Sequence, residues 1–168
     1  DNFFVFNTWV HVAVVRSGNT FIIYKNGVQV GTRSAPTSVN LPNANFWIGK
    51  VDNFLVGSMD EVRVWNTART AQQIQTNLGQ ELLGNEAGLR AYYNVNQGAA
   101  SRANSGITKL NNLTSTANMS GTLTNMSGTG ATSNFVTGVW PVIMTQPAAS
   151  LALCTNATSG NTLTVSAV

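Results

Sequence analysis

Between residues 9 and 33 apolar and polar positions alternate in short runs, and the alternation predicts three strands. Residues 9–16, WVHVAVVR, put Trp9, His11, Ala13 and Val15 on one face and Val10, Val12, Val14 and Arg16 on the other. Both faces are largely apolar, which places this strand inside a sandwich. The turn at 17–19, SGN, leads into 20–25, TFIIYK, a run rich in β-branched and aromatic residues. Asn26-Gly27 then predicts a tight hairpin, because both central residues of a type I′ turn need positive φ. Residues 28–33 return antiparallel.

A Pro-, Ser- and Asn-rich loop over 34–45 precedes a short predicted strand at 46–49, FWIG, and a loop at 50–55, KVDNFL. Alternation resumes before residue 66: Val62 and Val64 interleave with Glu61, Arg63 and Trp65, the signature of a half-buried strand. Then the period changes. Asn66-Thr67-Ala68-Arg69 is a polar break, Thr70 is placed to cap a helix, and Ala71, Ile74 and Leu78 fall at helical spacing before Gly79 ends it. Residues 89–95, LRAYYNV, alternate again as a strand. From 98 to 138 the chain is a tract of Asn, Thr, Ser and Gly, with Leu110, Leu113, Leu123, Phe135 and, just beyond it, Trp140 as apolar pegs. Such tracts bury little to offset chain entropy.

Two of these runs carry a resemblance. The pattern G-x-M-D-E-V-R-V-W-N-x-A-R-T-x-x-Q-I from Gly57 resembles the closing strand and helical turn of laminin G-like and pentraxin-like modules, which are concanavalin A-like jelly rolls. W-x-H-V-A-V-V-R-x-G-N-T-x-x-I-Y-K-N-G-V-Q-V from Trp9 is similar to the middle strands of the same family. The resemblance implies an all-β antiparallel jelly-roll sandwich with one short helix. It also implies that residues 1–97 are the C-terminal part of such a module, its opening strands lying outside this piece. Residues 98–140 are then a connector packing back on the sandwich. Residues 141–168 are similar to the start of an immunoglobulin-like domain, so the chain reads as an excerpt of a longer, bacterial multidomain protein. Cys154 has no second cysteine here, which excludes a disulfide or a Cys-rich zinc site within the piece. Its alternatives are a disulfide partner further along an immunoglobulin-like domain and a buried free thiol.

Composition narrows the function classes. Charged residues make up 9% of the 168, against about 25% in an ordinary soluble domain, which suits a turn-rich secreted or cell-surface β protein. The formal net charge is +3, but the nine Lys and Arg are scattered singly between Arg16 and Lys109. A nucleic-acid footprint needs density, so nucleic acid is set aside as a partner. No apolar run reaches the ~18 residues of a membrane span, so no membrane insertion is expected of this piece.

The chemistry points away from an enzyme. A jelly-roll glucanase needs two carboxylates ~5–9 Å apart, whereas Asp60 and Glu61 are adjacent in a predicted strand and point to opposite faces. The single histidine, His11, lies within a predicted strand and reads as structural, bonded to a neighbouring carbonyl or carboxylate. Glu61 and Arg63 read as a surface ion pair. Calcium is the one cofactor the resemblance brings in, with Asp52 and Asp60 as candidate ligands; otherwise none is expected. The loop around Asp52 and Asn53 is shorter and less acidic than the resemblance requires, and Asn111-Asn112 stands where relatives carry Asp. Asp60 equally reads as a carboxylate bonding loop amides. A sugar's C–H face packs on an indole while its hydroxyls bond amides, so Asn43, Asn45, Trp47, Lys50, Asp52 and Asn53 form the candidate carbohydrate site. Trp9 and Trp65 read as core. The function these features imply is a non-catalytic carbohydrate-binding or adhesion module, its partner a glycan or a cell-surface protein. The alternatives are a passive spacer and an accessory module of a larger glycoside hydrolase or protease.

Overall fold

The computed structural model of the chain describes residues 3–34, 45–50, 52–117, 119–129 and 135–137. The expected immunoglobulin-like start at 141–168, with Cys154, lies outside these residues. Strands β1 (Val12–Ser17), β2 (Thr20–Lys25) and β3 (Val28–Ser34) form an antiparallel sheet in the order β1-β2-β3. The turn between β2 and β3 is the one the sequence predicts: Asn26 and Gly27 have φ of 49° and 76°. One irregularity falls inside the hairpin. Ile23 pairs with Gly31 but Tyr24 with Gln29, so the register passes over Val30, as in a β-bulge.

The faces of this sheet differ. Ala13, Val15, Ile22 and Tyr24 share one face and pack with Ile74 into a hydrophobic cluster. Ile74 belongs to helix α1 (Ala71–Asn77), whose N-terminus is closed by a capping box between Thr70 and Gln73. The helix and the hairpin meet at Gly27. A Cβ there would lie 2.8 Å from Cγ of Gln75, and the Gln75 amide donates to the Gly27 carbonyl at 3.1 Å. Glycine is needed at that position for its φ and for the close approach. On the opposite face Val12, Val14 and Val28 are 42%, 63% and 61% exposed. The expectation that both faces of the first strand are buried is therefore corrected: among the described residues the helix covers one face and no second sheet covers the other.

Strands β4 (Val62–Trp65) and β5 (Leu89–Tyr93) pair antiparallel, and β6 (Lys109–Leu110) pairs with β7 (Gly121–Thr122). In β5, Leu89, Ala91, Tyr92 and Tyr93 are all buried. The polar tract packs onto it: Leu113 N–H donates to the Tyr92 carbonyl at 2.9 Å, Tyr92 N–H to Asn112 Oδ1 at 2.9 Å, and the Tyr93 hydroxyl to the Met119 carbonyl. Asn112 is thus occupied in holding β5.

Four boundaries are corrected. The first strand starts at Val12 rather than residue 9, because β2 ends at Lys25 and Asn26 brackets His11 with bonds of 2.9 and 2.8 Å instead of a ladder. Residues 46–49 form no strand. Gly49 has a φ of 74° and its carbonyl accepts Leu55 N–H at 2.7 Å, which turns the chain, leaving an isolated bridge between Lys50 and Phe54. Asp60 and Glu61 precede β4, and Glu61 has a φ of 55°, incompatible with a strand. The strand expected over 89–95 ends at Tyr93, and Val95 has a φ of 53°. The fold is all-β, in antiparallel sheets with one short helix, consistent with a jelly-roll class.

Candidate functional site

Near the turn at Gly49 one cation meets two aromatic rings. The Lys50 ammonium sits 4.5 Å from the Trp47 ring centroid and 5.1 Å from that of Phe54. A cation between two aromatic faces is held by their quadrupoles, worth about 0.5–1 kcal/mol per contact at exposed sites. Trp47 nevertheless stays 49% exposed, and Phe46 and Val56 stand 75% and 99% exposed. Of the residues the sequence nominated for a sugar, the structure brings Trp47 and Lys50 together. Asn45, Asp52 and Asn53 are exposed, with no contact to that pair among the described interactions, and Asn43 lies outside the described residues. Phe54 was not nominated, although it stands in the same KVDNFL loop; its part depends on the Lys50–Phe54 bridge, which no spacing rule announces.

A second cluster lies where β4 begins. The Arg63 guanidinium donates to Glu61 Oε2 at 2.5 Å, to the Asn77 carbonyl at 2.6 Å and to the Gln80 carbonyl. It therefore closes the C-terminal end of α1 while pairing with Glu61. The Tyr92 hydroxyl donates to the Glu61 carboxylate, 2.9 Å from each oxygen, and accepts from Leu82 N–H at 3.1 Å. Burial, reinforced by the Glu61 carboxylate, pushes the Tyr92 phenol up to about 12. The reading of Glu61 and Arg63 as a surface pair is corrected: their side chains are 22% and 10% exposed, because Tyr92 arrives from β5 to cover them. The signal missed was the paired tyrosine of LRAYYNV.

His11 lies beside this cluster. Burial, with the Arg63 charge added, holds its imidazole below the ordinary 6.5. Its Nδ1 and Arg63 Nε are both buried without a hydrogen-bond partner among the described residues. The expected carbonyl or carboxylate partner is thus not found at Nδ1.

Trp9 is 45% exposed rather than core, because the strand expected to carry it inward starts only at Val12. Trp65 is half-buried, with the Arg69 guanidinium 4.1 Å from its ring centroid. The W-N-x-A-R spacing was the available clue to that contact.

For calcium, the nominated carboxylates fit poorly. Asp60 Oδ1 accepts Glu61 N–H at 2.9 Å, and burial raises its carboxyl above the ordinary value, with Glu81 adding to the rise. Asp52 is exposed, and Asn112 Oδ1 already accepts from Tyr92 and Thr114. Among the described residues no three or more His, Cys, Asp or Glu gather as metal ligands would.

Residues 2–75 match the sequence profile of the laminin G type in the concanavalin A-like lectin/glucanases superfamily. The matched stretch contains the hairpin sheet, the aromatic loop, β4 and the first turn of the helix. A solved protein of Bacteroides ovatus ATCC 8483, named for a proposed carbohydrate-binding role, is similar at 27% identity with a TM-score of 0.52, over 65% of this chain and 33% of its own. Residues 221–444 of an S-layer domain-containing protein from Clostridium thermocellum ATCC 27405 match at 29% identity with a TM-score of 0.38, over 44% of this chain and 40% of that one. The chain therefore spans well under two thirds of either structure. No curated protein matches it.

Proposed function

We propose that the chain is a non-catalytic carbohydrate-binding or adhesion module of a secreted or cell-surface multidomain protein, and that a glycan seats on the loop of Trp47, Lys50 and Phe54. The observation that carries this reading is a half-exposed indole with an ammonium fixed beside it, in a concanavalin A-like stretch. A sugar ring packs its C–H face on the part of Trp47 that Lys50 leaves open. Lys50 then offers donors to ring or hydroxyl oxygens, and the exposed side chains of Asn45, Asp52 and Asn53, near in sequence, are candidates for the remaining hydroxyls. The likeness to the Bacteroides ovatus protein supports the ligand class. The absence of chemistry in this reading rests on how the acids are engaged: Glu61 with Arg63 and Tyr92, and Asp60 with the Glu61 amide. Among the described residues no helix is long and apolar enough to cross a membrane.

The test is a glycan-array screen of the chain with calcium and with chelator, repeated on Trp47→Ala. Binding that persists in chelator and disappears in the variant supports the reading. Binding lost on chelation moves the site to a calcium cage at Asp52 and Asp60 and contradicts the loop assignment. Silence in both conditions contradicts carbohydrate binding and favours a surface-protein partner or a spacer.

A further inference from the structure

A separate, largely open surface that shares no residue with the aromatic loop runs along α1. It is a groove of about 240 Å³ lined by Arg69, Gln72, Gln73, Thr76 and Asn77. These positions recur at spacings of three and four: Arg69, Gln72 and Thr76 fall on the side away from buried Ile74, with Gln73 and Asn77 flanking them. Its lining residues carry one cation and no carboxylate, and their aliphatic stems share the surface with their polar ends.

The cation is held in advance. The Arg69 guanidinium rests on the Trp65 ring at 4.1 Å, and a ring contact leaves the N–H donors of a guanidinium available for other bonds. Gln73 is also fixed: its Oε1 accepts from Thr70 N–H at 3.0 Å, which leaves its NH₂ as the donor. Ordering such groups before a ligand arrives removes part of the entropy that binding must otherwise supply.

We propose that this groove is a subsite for a carboxylated sugar residue, a hexuronate within a glycan. Arg69 forks onto the carboxylate, the geometry in which a guanidinium outperforms other cations. Gln72, Thr76 and Asn77 bond the hydroxyls. The proposal rests on the reading that the chain binds carbohydrate, but uses none of the residues of the Trp47 loop.

The experiment is an NMR titration of the full 168-residue chain with glucuronate, with glucose and with acetate. Glucuronate is expected to shift the signals of Gln72, Gln73 and Asn77 at concentrations where glucose and acetate do not. Arg69→Gln should weaken that response at least about tenfold, the scale of a lost charge-assisted bond, and Arg69→Lys should also weaken it because an ammonium cannot fork. Retained helical shifts in both variants, with Thr70 and Gln73 intact, show that the groove itself survives. A groove that stays silent, responds equally to acetate, or is indifferent to Arg69→Gln overturns the proposal. Shifts confined to the Trp47 loop would overturn this subsite and leave the loop reading standing. Shifts confined to the groove would support the subsite and contradict the loop.

Discussion

The hairpin sheet and β5 are both made of apolar strands, yet they are finished in opposite ways. β1, β2 and β3 are joined by short turns and bury one face on α1, while Val12, Val14 and Val28 on the other face remain exposed. β5 is paired with β4, a neighbour distant in sequence, and is covered by the polar tract that follows. Ala91 and Tyr92 there are fully buried at 0% exposure. The sheet shows that local pairing alone can specify strands without specifying what covers them. β5 shows the converse: an Asn- and Thr-rich tract can complete a core by hydrogen-bonding around two tyrosines rather than by apolar mass.

The comparison breaks most readily at Tyr92. Tyr92→Ala should cost about 3–5 kcal/mol, through the cavity and the loss of the donor to Glu61, read as a lowered denaturant midpoint. Arg63→Met comes next, at about 2–3 kcal/mol, because it leaves Glu61 and the carbonyls of Asn77 and Gln80 without their charged donor. A fall no larger than that of an exposed substitution would mean the junction is not a shared support. On the hairpin side, Gly27→Ala should lose about 1–3 kcal/mol, since a side chain there is strained at a φ of 76° and meets Gln75. Val14→Thr, on the bare face, should change stability by no more than about 0.5 kcal/mol. A large loss there would show that the face is covered.

Acid sharpens the same comparison with a smaller effect. His11 takes up its proton less readily folded than unfolded, so its contribution is present above pH 6.5 and is lost as pH falls below that value. Unfolding measured between pH 7 and 5 should show the loss, and His11→Gln should flatten it. An unchanged slope in the variant would assign the pH dependence to other groups.

Much of the local architecture was legible. Asn26-Gly27 announced its turn because few residue pairs tolerate two positive φ values, and Thr70, Ile74 and Gly79 announced the helix because caps and spacing act within a few residues. What stayed hidden depended on residues brought from elsewhere. WVHVAVVR is apolar on both faces, so its pattern does not reveal which face is covered. FWIG has strand composition, but Gly49 bends it back toward Leu55. Glu61 and Arg63 looked superficial because Tyr92 comes from another strand. In the candidate sugar site, Trp47 and Lys50 were legible as an aromatic flanked by polar loops, whereas Phe54 joined them only through a backbone bridge.

The most direct measurement is calorimetric titration of the array-selected glycan into the chain and into Trp47→Ala, with folding of both checked by circular dichroism. Affinity weakened at least about tenfold in a folded variant, the scale of a lost aromatic–sugar stack, is the predicted result. Equal affinity in both proteins would contradict the assignment of the glycan to the Trp47 loop.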